Sequence, residues 1–467
     1  MSGVRHPESR QQPHEEDAVL FRPLVKTGPA FYLVAAGLLA VALWGLYGYT
    51  QQLRYGLGVT GLNRPVFWGF YITNFVFFIG ISHAGTLISA ILRLCKAEWR
   101  RPITRMAETI TVLVLFFGLA SIIMDLGRPD RALYVIPFIK FGRIQSPLVW
   151  DVISITTYLT ASTIYLYLPL IPDLALLRER VTGWRRGLYR LLAVGWTGSS
   201  RQHRRLEIAI AIMAVLVIPI AVSVHTVVSW VFAMTIQPMW HSTIFGPFFV
   251  VGAIFSGIAA LILAMALIRK VYHLEDYLKP VHFNYMGILL LVMTMLWFYF
   301  TFAEYITTYY GNEPTEMAVF WAKISGSYWQ FFWAMVLLDF VIPFVVLANN
   351  RTRTVAGTVV ASVSVTIGMW LERFTIVVPT LVNPRLPWPR GVYYPTWVEI
   401  SITAGAFATF ALLYMIFTKL FPIVSIWEVR EGREQGLREV EERVRGYLPG
   451  LHESEEGRGP ERAPFVR

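Results

Sequence analysis

The sequence predicts an all-α, polytopic integral membrane protein of about ten membrane-spanning helices. Three observations carry that prediction. Of 467 residues, 55% are hydrophobic and 15% charged, with a mean hydropathy of +0.52, a balance unlike that of a soluble domain. Apolar runs of about 20 residues or more recur along the whole chain, each long enough to cross a hydrocarbon core of about 30 Å as a helix. Short polar loops separate the runs, and their Lys and Arg residues fall unevenly on two sides.

Taken in order, the spans lie at 28–49, 66–95, 104–126, 146–172, 205–233, 243–269, 281–310, 324–348, 355–380 and 395–421. Trp44, Trp68, Trp230, Trp329 and Trp397 lie towards span ends, as interfacial anchors do. The even-numbered loops hold 18 Lys and Arg and the odd-numbered loops 9, which places both termini in the cytoplasm. Residues 1–27 are polar, with interspersed Glu and Asp. They carry no cleavable apolar core and no lipidation motif, and read as a cytoplasmic tail. Residues 422–467 form a second charged tail, with a surface helix over Trp427 to Arg445 and a disordered remainder.

A faint repeat organises the middle of the chain. Ser82-His83 with Leu87-Ile88 matches Ser256-Gly257 with Leu261-Ile262, and the Ser146-to-Trp150 stretch matches Ser325-to-Trp329. Two related four-helix bundles follow, spans 2–5 over 66–233 and spans 6–9 over 243–380, with 28–49 and 395–421 flanking them. The net charge of +11 sits mainly in loops as a topology signal, so nucleic acid is not the expected partner. The single cysteine, Cys95, cannot hold an iron–sulfur cluster, a structural zinc or an internal disulfide.

Ionisable residues inside the spans are costly in lipid, at about 2.5 kcal/mol or more each, and therefore mark function or interhelical bonding. His83 lies near the middle of the uncharged run that opens at Val66. Asp125 closes span three, Asp151 opens span four and His225 lies about two turns from the outer end of span five. Glu304 belongs to the second bundle, Asp339 and Glu108 to the inner half, and Glu372–Arg373 reads as an interfacial pair without chemistry.

Three uses fit. A quinol site needs acceptors for hydroxyl protons and an apolar slot, and His83, Asp125, Asp151 and His225 with nearby aromatic residues supply both. A bis-histidine haem has only His83 and His225 available, at depths that differ by about 10 Å. An ion transporter calls for matched broken helices, which the sequence does not display. Simpler roles stand beside these. Asp125, Arg128, Asp130 and Arg131 also suit a salt-bridged loop tie, and Asp151 also suits a helix start.

The motifs LGRPDR, SPLVWD and SVHTVVSWVFA followed by GPFFVVGAIFSG resemble those of the NrfD/PsrC family, the membrane subunits of polysulfide-reductase-type complexes. The stretch RPVFWGFYITNFVFFIGISHAGTLISAIL resembles more narrowly the first of the two such subunits of bacterial alternative complex III, and the similarity spans roughly residues 28–421. The resemblance implies a multi-pass subunit of the bacterial inner membrane that oxidises a quinol, commonly menaquinol, in the first bundle near the periplasmic face. By this likeness the catalytic residues are His83, Asp125, Asp151 and His225. Arg128 and Trp150 join His83, Asp151 and His225 in binding the quinol, and Asp339, Glu108 and Glu304 are proton relays. Electrons would leave through a periplasmic iron–sulfur subunit to c-type cytochrome subunits, beside a second NrfD-like membrane subunit. The chain itself would hold neither haem nor cluster. A quinone-reducing anchor of a molybdenum-type reductase, and a structural or ion-conducting subunit, are the competing roles.

Overall fold

The computed structural model describes residues 20–24, 27–134 and 146–435. Numbered in chain order, the helices of the first half are α1 Pro29–Tyr55, α2 Phe70–Leu94, α3 Thr104–Asp125, α4 Pro147–Arg178, α5 Trp184–Leu192 and α6 Ser200–Ala233. The second half supplies α7 Phe245–Tyr272, α8 Pro280–Gly311, α9 Pro314–Ile324, α10 Trp329–Ala348, α11 Val355–Val382 and α12 Trp397–Leu420. All except α5 and α9 are long and apolar enough to cross a membrane, ten in total among the described residues.

Local chemistry sets the ends. Proline opens α1, α4, α8 and α9, where its missing N–H costs no helical bond. Thr396 and Glu399 cap α12 reciprocally, and Thr354 caps α11. His273 and Asn312 close α7 and α8 in the left-handed conformation common after a last helical turn.

The helices pack as two rings of four. In the first, α2, α3, α4 and α6 close in that order; in the second, α7, α8, α10 and α11 do the same. The rings meet along α2, α6, α7 and α11, and α2 approaches α7 where Gly80 faces Ser256. Ser256 is the position that the sequence repeat matches to Ser82, two residues past Gly80. Outside the rings α1 pairs with α12, so closely that a Cβ on Gly45 would stand 2.7 Å from the Cα of Gly405. Small residues at this crossing bring the backbones together, since hydrophobic burial gives helices little reason to associate within lipid.

One end of the molecule, the terminal face, carries both ends of the described chain. Lys419 Nζ donates to Pro23 O and Arg185 donates to Leu24 O. The opposite, distal face carries the α1–α2 and α11–α12 connections.

Two expectations change. Trp68 is not an interfacial anchor: it stacks on Trp240 and meets Phe232 edge-on inside the distal half, whereas Trp44, Trp230, Trp329 and Trp397 are exposed. Residues 422–435, expected to open a charged tail with a surface helix from Trp427, contain that helix but hold it docked against the protein. Their backbone turns into a helix over 426–435, with Ile426 and Glu428 buried across the terminal ends of α2, α3 and α4. Asp173 of α4 accepts from the amides of Ile426 and Trp427 and pairs with Arg105 at 2.5 Å. Glu428 pairs with Arg93 and lies 3.7 Å from Arg100. The assigned tails 1–19 and 436–467 lie outside the described residues.

Candidate functional site

His83 and His225 meet at the centre of the first ring. Both are fully buried, and their ring centroids are 3.7 Å apart at an interplanar angle of 65°. The ten-ångström difference in depth inferred from residue counting is therefore wrong. Helical side chains lean towards the N-terminus of their own helix. As α2 and α6 run antiparallel, the two imidazoles lean towards one another and close the gap. His83 Nε2 meets the carbonyl of Ala221, one turn before His225, which fixes this register.

The hydrogen-bond inventory of the pair is unusual. His83 Nδ1 faces Ile79 O at 3.1 Å while Nε2 faces Ala221 O. Carbonyl oxygens only accept, so only an imidazole protonated on both nitrogens can donate to both. His225 has no hydrogen-bond partner on either nitrogen among the described residues. A ring that faces two carbonyl oxygens thus touches one whose nitrogens have no hydrogen-bond partner among the described residues. Edge-to-face contact leaves no space for a porphyrin plane between the rings, so the geometry does not fit bis-histidine haem ligation.

From this pair a file of hydroxyls runs towards the terminal face. Tyr158 packs 5.0 Å from the His83 ring and donates to Ser82 O at 3.0 Å. Next, Thr86 Oγ1 donates to Ser162 Oγ at 3.3 Å. Ser89 then donates to Glu108 at 2.6 Å and lies 3.5 Å from the Tyr165 hydroxyl. All of these side chains are buried. Ser82, Thr86 and Ser89 on α2 face Tyr158, Ser162 and Tyr165 on α4, and both triplets repeat as i, i+4, i+7. Gly85 lets α3 close against α2 beside this file, because a Cβ there would lie 2.0 Å from Ala107 O and from Thr111 Oγ1. The reading of the sequence missed this file. Its signal was present as two hydroxyl stripes at helical period inside apolar spans.

Asp151 occupies the same face of α4, two turns distal to Tyr158, or about 10 Å. It is buried, and its Oδ1 has no hydrogen-bond partner among the described residues. Trp150 beside it is half-buried. Asp125 stands apart from the histidines. It ends α3 seven residues past Gly118, the level at which α3 meets Ile79. Its surroundings include α1 and α12: Met124 O accepts from Gln52 of α1, Gln52 accepts from Tyr71 of α2 at 2.6 Å, and Glu399 of α12 is close enough to act on Asp125 electrostatically. Arg128 is on the distal surface, paired with Asp130 at 2.8 Å with both side chains more than half exposed.

The second ring contributes a buried ionic group against the pair. Arg373 and Glu372 form an ion pair and are 1% and 2% exposed, so the interfacial assignment gives way to a core one. Trp297 donates to Glu372 at 2.7 Å, and the Arg373 guanidinium reaches between α7 and α2, near Gly252 and Gly80. The Arg373 guanidinium is close enough to His225 to act on it electrostatically. On the distal side, a cavity of about 30 Å³ is lined by Glu372, Trp297, Thr301, Lys323 and Glu304, and Glu304 accepts from Ser242. Asp339 is fully buried in a π-helical turn, Leu337–Val341, and neither carboxylate oxygen has a hydrogen-bond partner among the described residues. Such turns recur at functional positions. It sits halfway along α10, so mid-depth replaces the expected inner half.

A family model described as "Polysulphide reductase, NrfD" matches residues 58–384, which include both rings and every group above except Asp125's neighbours on α1 and α12. The chain belongs to the NrfD family. Among relatives of this NrfD-family chain, a protein of Halobacterium salinarum named as a membrane subunit of a dimethyl sulfoxide reductase is 25% identical over 88% of this chain and 95% of its own. The Hdr-like menaquinol oxidoreductase integral membrane subunit of Archaeoglobus fulgidus is 23% identical over 90% of this chain and 100% of its own. The menaquinone reductase integral membrane subunit of Nitratidesulfovibrio vulgaris is 22% identical over 81% and 88%. The family and these relatives make this NrfD-family chain a membrane subunit of an oxidoreductase complex. Among the described residues, no three His, Cys, Asp or Glu side chains group as metal ligands.

Proposed function

We propose that the chain is the quinol-oxidising membrane subunit of a bacterial inner-membrane electron-transfer complex of the alternative complex III type. In this reading the terminal face is cytoplasmic and the distal face periplasmic, as the loop charges imply. The observation that carries it is the buried histidine pair, in which both His225 nitrogens lack a hydrogen-bond partner among the described residues, below Asp151, whose Oδ1 lacks one too. A quinol giving up two electrons also gives up two protons. Asp151 takes one at the distal side, and the His83–His225 pair takes the other. The two electrons pass singly to iron–sulfur clusters of a periplasmic partner and on to c-type haems, because this chain offers only Cys95, exposed at the end of α2. Menaquinol is the quinol named for the archaeal relative. Trp150 flanks the head group. Asp125 and Arg128 act at the distal rim, a lesser role than that of the three inner groups.

The same groups suggest proton translocation. Glu108 and the hydroxyl file lead from the terminal face to His83. Beyond His225, Glu372 and Glu304 lead to the distal face, with Asp339 beside the crossing.

In the purified complex, His83→Ala and Asp151→Asn are each expected to slow reduction of the cytochrome by a soluble quinol at least tenfold, with assembly intact. Normal turnover in both variants removes the proposed site. A second reading, quinone reduction, is favoured by one observation: the hydroxyl file could feed protons to the site from the terminal side. It predicts faster turnover with a low-potential donor and quinone than with quinol and an acceptor.

A further inference from the structure

Helix α5 does not cross the bilayer, and the redox chemistry gives it no task. Its nine residues, WRRGLYRLL, form three arcs when laid out at 100° per residue. One arc faces the protein. Tyr189 is buried and donates to Leu420 O at 2.6 Å, Arg185 donates to Leu24 O, and Leu192 O accepts from Tyr167 at 2.6 Å. A second arc holds Trp184 and Leu191, 67% and 75% exposed, and Val194 just beyond the helix is 68% exposed. The third, roughly 130° from the second, carries Arg186 and Arg190, both exposed and without an ion pair among the described residues.

Depth explains this arrangement. Tyr167 lies 20 residues into α4, or about 30 Å from its distal start, which is one hydrocarbon thickness. Leu420 is the last residue of α12. Both anchors therefore hold α5 where the acyl chains of one leaflet give way to headgroups. At that level the Trp184–Leu191 arc enters the acyl boundary while the guanidinium arc faces phosphates.

We propose that α5 is an in-plane anchor that binds anionic phospholipid headgroups of the leaflet at the terminal face through Arg186 and Arg190. Charge complementarity selects the occupant, since two unpaired guanidinium groups match phosphodiester oxygens. A docked protein would need no indole at this depth.

The test places the purified complex in nanodiscs of phosphatidylcholine alone or mixed with phosphatidylglycerol. It reads the unfolding midpoint and the phosphatidylglycerol retained through washing. Wild type gains several degrees and retains the anionic lipid. The double variant Arg186→Gln/Arg190→Gln keeps the wild-type midpoint in phosphatidylcholine, which shows that it folds, but loses the gain and binds phosphatidylglycerol roughly thirtyfold less tightly. Equal gains in wild type and variant overturn the proposal. So does an equal gain from inorganic phosphate in phosphatidylcholine discs, which makes the site one for free phosphate. A variant that sheds a partner subunit with no change in lipid retention overturns it in favour of a protein contact.

Discussion

The chemistry of single residues turns on which hydrogen bonds remain open. His83 and His225 are legible in the sequence as the histidines well inside spans, but their contact is not, because counting along helices ignores where side chains lean. Glu372 and Arg373 show the opposite failure. Their adjacency suggested a self-contained interfacial pair, whereas burial between the rings follows from neighbours on α2, α7 and α8 that a linear reading cannot supply. The hydroxyl file gives a sharp test at this scale. Tyr158→Phe removes one hydroxyl and keeps the ring that packs on His83, so quinol binding should persist while turnover falls about tenfold or more. A larger slowing of wild type than of variant in heavy water accompanies that fall if the phenol lies on the proton route. Glu108→Gln should abolish proton uptake in proteoliposomes while leaving part of the electron flux. Full uptake in that variant means that the file is only packing.

Among the elements, the ten crossings and their approximate bounds were readable because runs near 20 apolar residues have few alternatives. What escaped was short or amphipathic. α5 is half polar and only nine residues long, and α9 is an eleven-residue piece between two spans. The π turn in α10 was equally invisible, since its sequence, LLDFV, contains no proline or glycine. The α2–α3 interface makes the strongest claim at this level. Gly85→Ala places a methyl group against the Ala107 carbonyl, which is backbone and cannot swing away. A loss of about 1–3 kcal/mol is expected, together with lower quinol turnover as the turn carrying His83 shifts. Gly37→Ala on the lipid face of α1 meets nothing within 4 Å and should instead leave stability equal or slightly higher. Unfolding midpoints of the two variants, measured side by side, check both statements.

At the scale of the whole molecule, the 426–435 segment ties the terminal face of the first ring through charge. Burial alone would push the Glu428 carboxyl upward. Arg93 and Arg100, with the hydrogen bond from Arg93, outweigh it and hold the group below its ordinary value. A carboxyl depressed in the folded state stabilises that state above the ordinary value of about 4.3, and the contribution fades as acid titrates the folded form. Protection of the 426–435 amides, relative to their intrinsic exchange rates, should therefore fall as pH drops below about 4. In Glu428→Gln that protection should be low already at neutral pH and should not fall further over that range. Unchanged exchange in the variant would mean that the Asp173 contacts alone hold the segment.

The pairing of α1 with α12 has a consequence for biogenesis. Helix α1 is mostly exposed along its length, and its chief neighbour among the described residues, α12, is made after both rings. During translation α1 must wait in the bilayer while both rings assemble beside it. A nascent chain released early would leave α1 unmatched, with Gly45 and Gly48 open to lipid. The pairing of α1 with α12 thus closes only after both rings have been made.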